Sequence, residues 1–332
     1  MRASAMRRVL VLGGAGFVGY HLVARLTAEG GHAVTVVDDF SRGRRDRELS
    51  SVLVRTDVTL VEADLTDRRA LDRLDGSWDE VYMLAAVVGV RHAMQDPMRV
   101  LRVNTLAALN VCAWLTRAVR RLFFASTSEA YAGGVELGHV PVPTPEAVPL
   151  VVADIGNPRF AYAASKILGE AAVIHSARAR GVPFVIGRLH NVYGPRMGAD
   201  HVIPELCLRA LAKEDPFRVY GLEQRRAFCH VSDALDAIQR LMAAAVTAEG
   251  VVVNVGNDRE ETTVAALLEL VLNAAGFKPQ LDPRPAPAGS VARRRPDISR
   301  LRSLTGFEPR VSLAEGVRET LEWYRRSREV AA

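Results

Sequence analysis

The 332-residue chain reads as an α/β protein, a doubly wound parallel sheet with a smaller C-terminal α/β lobe. Three observations predict it. From residue 8 to about 190, short apolar runs alternate with longer helical patterns; a glycine-rich turn joins the first run to the first helix; after about residue 195 the alternation loosens. Strands alternating with helices imply a parallel sheet covered on both faces. With 49% hydrophobic residues the chain can bury a large core, as one big domain or a large domain carrying a smaller one.

In chain order, Val9 to Leu12, Ala33 to Val37, Glu80 to Leu84, Leu122 to Ala125 and Phe184 to Arg188 are the expected strands. Val18 to Ala28, Met98 to Val119 and Ala161 to Ala179 are the helices between them. Beyond residue 195, Ile203 to Ala212, Ser232 to Ala245 and Val264 to Ala275 read as helices, separated by short strands such as Val251 to Val255. A proline-rich stretch, Pro279 to Pro296, precedes an amphipathic helix around Leu313 to Arg326. The C-terminal third is therefore expected to pack on the carboxyl edge of the sheet, where ligands of such folds bind.

The formal charge of +5 does not by itself point to nucleic acid. The arginines are spread along the chain, with small clusters only at Arg42 to Arg47 and Arg293 to Arg295, whereas a nucleic-acid binder gathers its charge on one face. Some of them suit a small anionic ligand. Cys112, Cys207 and Cys229 are scattered, so neither a metal site nor a disulfide framework is expected, and a reducing cytoplasm is the simplest home. Met1 to Arg8 is basic, but the apolar run behind it is too short for a signal-peptide core or a membrane span.

Gly13, Gly16 and Gly19 form a G-x-x-G-x-x-G run between the first strand and the first helix. Glycines there permit a tight turn and let backbone N–H groups approach a pyrophosphate, which the helix N-terminus also attracts. Asp38 ends the second strand, nineteen residues after Gly19. A carboxylate at that place hydrogen-bonds the ribose hydroxyls of NAD and repels the extra phosphate of NADP. Arg42, Arg44 and Arg45 follow and offer the opposite reading, a grip on that phosphate. Asp38 carries more weight because it stands at the strand end. The expectation is a Rossmann-type NAD-binding unit over residues 1–190 and a mainly substrate-binding lobe over 191–332, with some chain crossing between them.

Tyr162 and Lys166 lie four residues apart in Tyr-Ala-Ala-Ser-Lys on an expected helix, so both face the same way. A nearby ammonium lowers a tyrosine's pKa by favouring the phenolate. Such a tyrosine can take a proton from a sugar hydroxyl while the carbon's hydride leaves to the cofactor. Alone, the pair is an ordinary helix spacing. The order of features carries the weight: glycine loop, Asp38, Ser126-Thr127-Ser128 at a strand end, then Tyr162 and Lys166.

This order resembles the extended short-chain dehydrogenase/reductase family, specifically its NAD-dependent nucleotide-sugar epimerases, dehydratases and decarboxylases, over nearly the whole chain. The resemblance implies a nucleotide-diphosphate sugar as substrate and adds Phe17 and Val18 to the glycines as cofactor positions. It makes Asp64-Leu65 the adenine-contacting pair and Leu84-Ala85-Ala86 the strand end beside the cofactor. Arg188 to Arg196 is similar to one family hallmark, in which Asn191 faces the nucleotide diphosphate. Arg226 to Asp233 is similar to a second, with Arg226 as a phosphate clamp, a role that suits a bidentate guanidinium. It also implies a homodimer that pairs Met98 to Val119 with Ala161 to Ala179. Blander roles compete at several positions. Asn104 can brace its helix against a strand, Gly194 and Pro195 can shape a turn, Asp233 can cap a helix, and His190 and His230 can be buried packing.

By the same resemblance Thr127 hydrogen-bonds the sugar C4 oxygen. Ser128 and Glu129 next to it look like the UDP-glucuronate decarboxylases, and a glutamate there also occurs in the sugar dehydratases. Asn157 to Phe160 and Arg293 to Ile298 are decarboxylase-like too, with Arg294 as the residue reaching the site. Other positions depart. The family's glycine after Val-Tyr is Ala132 here, followed by Gly133 and Gly134, and Pro287 and Ser290 replace an arginine and an aspartate of the 4-epimerases. No pocket for a substrate carboxylate is identifiable. All three reactions begin with oxidation at C4. The sequence reading favours C4 epimerisation through a transient 4-keto intermediate, because it asks least of these residues. A decarboxylase or dehydratase using Glu129 is the alternative, with Glu129 merely bracing the loop at Tyr131 to Gly134 as the bland reading. A non-catalytic nucleotide-binding protein is the outside reading, opposed by the presence of Thr127, Tyr162 and Lys166 together.

Overall fold

A run of valine and leucine without polar interruption suits a strand buried on both faces. The computed structural model, which describes residues 6–74, 76–244, 246–286 and 290–331, places that run inside a seven-stranded parallel sheet. Met1, Ala245 and Pro287 lie outside the described residues. The strands are β1 (Arg7–Leu12), β2 (His32–Asp38), β3 (Val58–Glu62), β4 (Glu80–Met83), β5 (Leu122–Thr127), β6 (Phe184–Leu189) and, far along the chain, Val251–Val255. Across the sheet the order is Val251–Val255, β6, β5, β4, β1, β2, β3. The winding direction reverses between β4 and β1, which opens a crevice at their carboxyl ends.

Alternate residues of β1 feed two cores, as the pleat requires. Val9 and Val11 pack with Leu22, Val23 and Leu26 of α1 (Phe17–Glu29). Leu10 and Leu12 pack with Val111 of the helix Pro97–Trp114 and with Val173 and Ala177 of the helix Ala161–Arg180. Asp96 caps the former helix, accepting from Arg99 N–H at 2.9 Å, and Pro97 fills its first position. It stops at Trp114, short of the expected Val119, because Leu115 leaves helical geometry at φ −54°, ψ 129°. Gly181 ends the latter helix in the left-handed region at φ 67°, a place that glycine occupies without strain.

Two strands stand outside the sequence expectation. β3 lies at the sheet edge, with only Val58 buried, so its pattern lacks the apolar run of its neighbours. Val251–Val255, expected among the short strands of the C-terminal third, pairs with β6 as the opposite edge, Val251 facing Val185 and Val255 facing Leu189. A third core joins the helices Val202–Leu211, Val264–Ala275 and Leu313–Ala331 around Phe217, Tyr193 and Trp323. The proline-rich stretch contributes two short strands. Leu281–Arg284 runs beside Phe217–Tyr220, and Arg293–Arg294 runs beside Arg225–Ala227. Among the described residues no helix is long and apolar enough to cross a membrane.

Candidate active site

The glycine turn is pressed against Ala85, two residues past the end of β4. Gly13 has φ +88°, and a Cβ on it would lie 2.6 Å from Ala85 N; a Cβ on Gly19 would lie 2.1 Å from Gly13 O. Neither place admits a side chain. Gly16 starts α1 without any side-chain cap, so the first N–H groups of the helix open toward the cavity that Gly13, Gly16, Phe17 and Val18 line. Such a cradle fits the pyrophosphate of a dinucleotide. Asp38 is buried beside it, its carboxylate accepting from Ala15 N–H and Phe40 N–H, both at 2.9 Å. Burial holds this carboxyl above its usual pKa, against the pull of those two bonds.

Two of the three arginines that competed with Asp38 are engaged elsewhere. Arg45 pairs with Glu62 and stacks 3.7 Å over the Phe40 ring. Arg42 donates to Val88 O at 2.6 Å. Ala86 lines the cavity, while Ala85 backs Gly13. Asp64 and Leu65 stand apart from the cavity wall. Asp64 accepts from the N–H and hydroxyl of Thr66, each at 2.8 Å, and the carbonyl of buried Leu65 accepts from Asn110 at 2.9 Å.

The end of β5 meets the first turns of the helix Ala161–Arg180. Lys166 Nζ donates to Ala125 O at 2.8 Å, and burial lowers its pKa to about 8. Tyr162 is buried, and burial raises its hydroxyl well above the ordinary range, while hydrogen bonding with Thr127 opposes the rise. The cation acting on Tyr162 is Arg42, from the loop after β2; Lys166 is aimed instead at the Ala125 carbonyl. Four-residue spacing therefore brings the pair to one corner, where Arg42 acts to lower the Tyr162 pKa. Asn104 braces this corner, donating to Val87 O and Ser165 Oγ at 3.1 Å each and accepting from Val87 N–H at 2.7 Å.

A charged wall faces Tyr162. β5 continues into a tight turn, Ser128–Tyr131, whose first N–H groups are capped by Thr127 through a 3.2 Å bond from Glu129 N–H. The Glu129 carboxylate lies 2.9 Å from Arg294 Nη1 and 3.7 Å from Arg159 Nη2. Burial works to raise its pKa, but Arg294 and then Arg159 outweigh burial and hold it below the usual carboxylate range. Arg226 stands behind, its pKa lowered to about 10 by burial and then by Arg294, donating to Arg225 O at 2.8 Å and Ala292 O at 3.2 Å. Glu129 thus faces the arginines rather than the loop it was weighed as bracing. That loop is held by close approach, since a Cβ on Gly133 would lie 2.1 Å from Val151 O.

The arginine run at 293–295 resolves by strand alternation. Arg293 turns to Glu261 at 2.6 Å and Arg295 to Asp258 O at 2.9 Å, while Arg294 alone turns inward. Arg159 escaped the sequence-level choice of site residues, although it stands three positions before Tyr162. Nothing local says that it meets a glutamate thirty residues earlier. Its Nε is buried without a hydrogen-bond partner.

Ser128 and Asn191 line the same cavity, Asn191 at φ 41° and donating to Ala227 O at 2.8 Å. Arg196, the last residue of the 188–196 motif, is almost wholly buried. It bonds Asp46 at 2.8 Å and Ala15 O at 3.2 Å, so it clamps the glycine turn to the loop after β2. Asp233 is not a cap; its carboxylate accepts from Arg310 N–H and Val311 N–H at 3.0 Å each, and His230 caps that helix. His190 is buried against Asn254 at 3.0 Å, and His230 is buried beside Ser232 at 2.8 Å. Among the described residues no group of histidine, cysteine and carboxylate side chains is arranged to hold a metal ion.

The cavity measures about 610 Å³ and brings together the glycine cradle, Thr127, Tyr162, Lys166 and the charged wall. Its ionisable lining counts Arg42, Arg44, Arg159, Lys166, Arg196 and Arg294 against Glu129 and Asp200, histidines aside. A dinucleotide cradle that abuts a buried tyrosine–lysine pair defines an enzyme of Rossmann type working through a nicotinamide cofactor. The chain belongs to the NAD dependent epimerase/dehydratase family, whose model matches residues 9–256. Its cofactor is NAD. It is 34% identical to UDP-glucuronic acid decarboxylase 1 of Xenopus tropicalis, over 97% of this chain and 73% of that one. It is 30% identical to UDP-N-acetyl-alpha-D-glucosaminuronate decarboxylase of Bacillus cytotoxicus, over 96% and 98%. Among solved structures it resembles UDP-glucose 4-epimerase of Thermus thermophilus in complex with NAD, with TM-score 0.81 and 30% identity over 96% and 99% of the two chains.

Proposed function

We propose that this chain is a nucleotide-sugar decarboxylase acting on a UDP-linked hexuronic acid. The observation that carries the reading is the wall at Glu129. Three guanidiniums, those of Arg294, Arg159 and Arg226, act on one carboxylate. Three guanidiniums around one carboxylate leave cationic capacity that a uronate's own carboxylate would use and a neutral hexose would not. The excess of cations around the cavity suits a ligand with both a diphosphate and a carboxylate. The named relatives that are decarboxylases support the same choice.

Tyr162 takes the proton of the C4 hydroxyl, with Thr127 holding the same oxygen. When bound, NAD supplies the acceptor for the C4 hydride and later returns it. The C4 ketone lies β to the carboxylate, so the bond from C5 to the carboxyl carbon breaks, carbon dioxide leaves, and the electron pair passes toward the ketone oxygen. A proton then adds at C5. Arg294 and Arg159 orient the departing carboxylate. Glu129, held ionised, anchors these guanidiniums rather than giving up a proton of its own. C4 epimerisation, which the sequence reading favoured, stands as the second reading, supported by the likeness to the Thermus thermophilus epimerase.

Mass spectrometry of products from UDP-glucuronate, UDP-N-acetylglucosaminuronate, UDP-glucose and dTDP-glucose tests the choice. Loss of carbon dioxide from a uronate is expected. Conversion without a mass change would favour the epimerase, and loss of water a dehydratase. We infer in addition that a second copy covers the face of the helices Pro97–Trp114 and Ala161–Arg180. Exposed Met98, Leu109 and Leu168 on that face support it, and a doubled mass in sedimentation is the expected result.

A further inference from the structure

Three successive residues at the end of β5 each meet one helical side chain, and those side chains are spaced four apart. The Ala125 carbonyl receives Lys166 Nζ at 2.8 Å, Ser126 Oγ donates to Glu170, and Thr127 stands near enough to Tyr162 to lower its pKa. Residues 162, 166 and 170 share one face of the helix Ala161–Arg180. The third rung is the anchored one. Arg188, which sits opposite Ser126 on the neighbouring strand β6, grips Glu170 bidentately, Nε to Oε1 at 2.9 Å and Nη2 to Oε2 at 2.7 Å. Both partners are almost wholly buried, at 3% and 5% exposure. Arg188 is fixed in turn by Tyr131 Oη at 2.7 Å, which donates to Asn254 Oδ1 at 2.8 Å.

We propose that Glu170 is a positioning residue for the Tyr162–Lys166 pair: clamped by Arg188 and bonded by Ser126, it fixes the end of β5 against the helix one turn beyond Lys166. This rests on the reading of Tyr162 and Lys166 as the acid–base pair. Glu170 and Tyr162 flank Lys166 on its own helix, and β5 presents to it only neutral groups, the Ala125 carbonyl and the Phe124 ring 4.9 Å away. The remaining charge nearby is Arg188, on the far side of Glu170. Glu170 is the one group that raises the lysine's pKa against its burial. Removing its charge therefore moves Lys166 toward the neutral amine and takes a positive charge out of the corner that holds Tyr162.

The chain has three lysines, Lys166, Lys213 and Lys278, so [15N]lysine NMR of the full-length protein follows Lys166 directly. In Glu170→Gln the Lys166 titration should move down from about 8 by about one unit, and the alkaline limb of kcat should move with it. Glu170→Asp, which keeps the charge, should restore both. If Glu170→Gln does not fold, the double variant Glu170→Gln/Arg188→Met removes the buried pair as a unit; because a cation leaves with the anion, the Lys166 titration should move in the same direction by less. A folded variant with an unmoved Lys166 titration and an unmoved alkaline limb would overturn the proposal. The NMR readout needs no turnover, so failure of the acid–base reading is seen separately, as a Lys166→Ala variant with unchanged kcat.

Discussion

Glu129→Gln separates the two readings of the reaction. The Glu129–Arg294 contact of 2.9 Å is a charge-assisted hydrogen bond worth about 2 kcal/mol, while Arg159 at 3.7 Å adds less. The amide keeps one acceptor but loses the charge, so steps that depend on Arg294 being held should slow roughly thirty-fold. Oxidation at C4 should not slow, because Tyr162 and Thr127 remain. The Glu129 charge also pushes the Tyr162 pKa up, so its loss makes the tyrosine easier to ionise. The assay is a single turnover with UDP-glucuronate, reading reduced nicotinamide by absorbance and carbon dioxide by mass spectrometry. Reduced cofactor should appear at the parental rate or faster, then decay slowly, with carbon dioxide release delayed to match. Release at the parental rate in Glu129→Gln would refute the role given to the wall. A parent enzyme that interconverts sugars without releasing carbon dioxide would refute the decarboxylase.

Other perturbations follow from the same geometry. Tyr162→Phe should leave NAD and nucleotide-sugar binding nearly intact in calorimetry and lower turnover by roughly two to four orders of magnitude. Asp38→Ala should relax discrimination against NADP, read as the ratio of the two dissociation constants; equal affinities in the parent would remove the basis for this. Arg294→Ala should raise KM for a uronate substrate at least tenfold, whereas Arg293→Ala, whose partner is Glu261 on the outer side, should change it less than threefold, roughly the worth of an exposed pair.

The first half of this molecule was legible because its signals are local. An unbroken apolar strand, glycines where no Cβ fits, and a carboxylate at the next strand end lie within about thirty residues of one another. Tyr162 and Lys166 were legible for the same reason, and Asp96-Pro97 marked its helix start. What escaped depends on partners distant in sequence. Val251–Val255 joins the sheet only through β6, more than sixty residues earlier. Asp233 reads as a cap from its position in the first helical turn, yet its partners are the N–H groups of residues 310 and 311. The wall was half visible: Glu129 and Arg294 stood out, but Arg159 gained its meaning only when folding set it beside Glu129. β3 was missed for a different reason, since an edge strand with one buried residue has little apolar pattern to show.

The return of Val251–Val255 to the sheet bears on how the chain comes off the ribosome. β6 is complete at Leu189, with Phe184 through Arg188 all buried in the finished protein. Its outer edge stays without a strand partner until Val255 has been made, and at about 5–20 residues per second that is an interval of several seconds. An uncovered apolar edge is a template for pairing with other nascent chains. A fragment ending near residue 190 should therefore accumulate as aggregate, and chimaeras that exchange the C-terminal third between relatives need to carry residues 251–255 with the sheet they close.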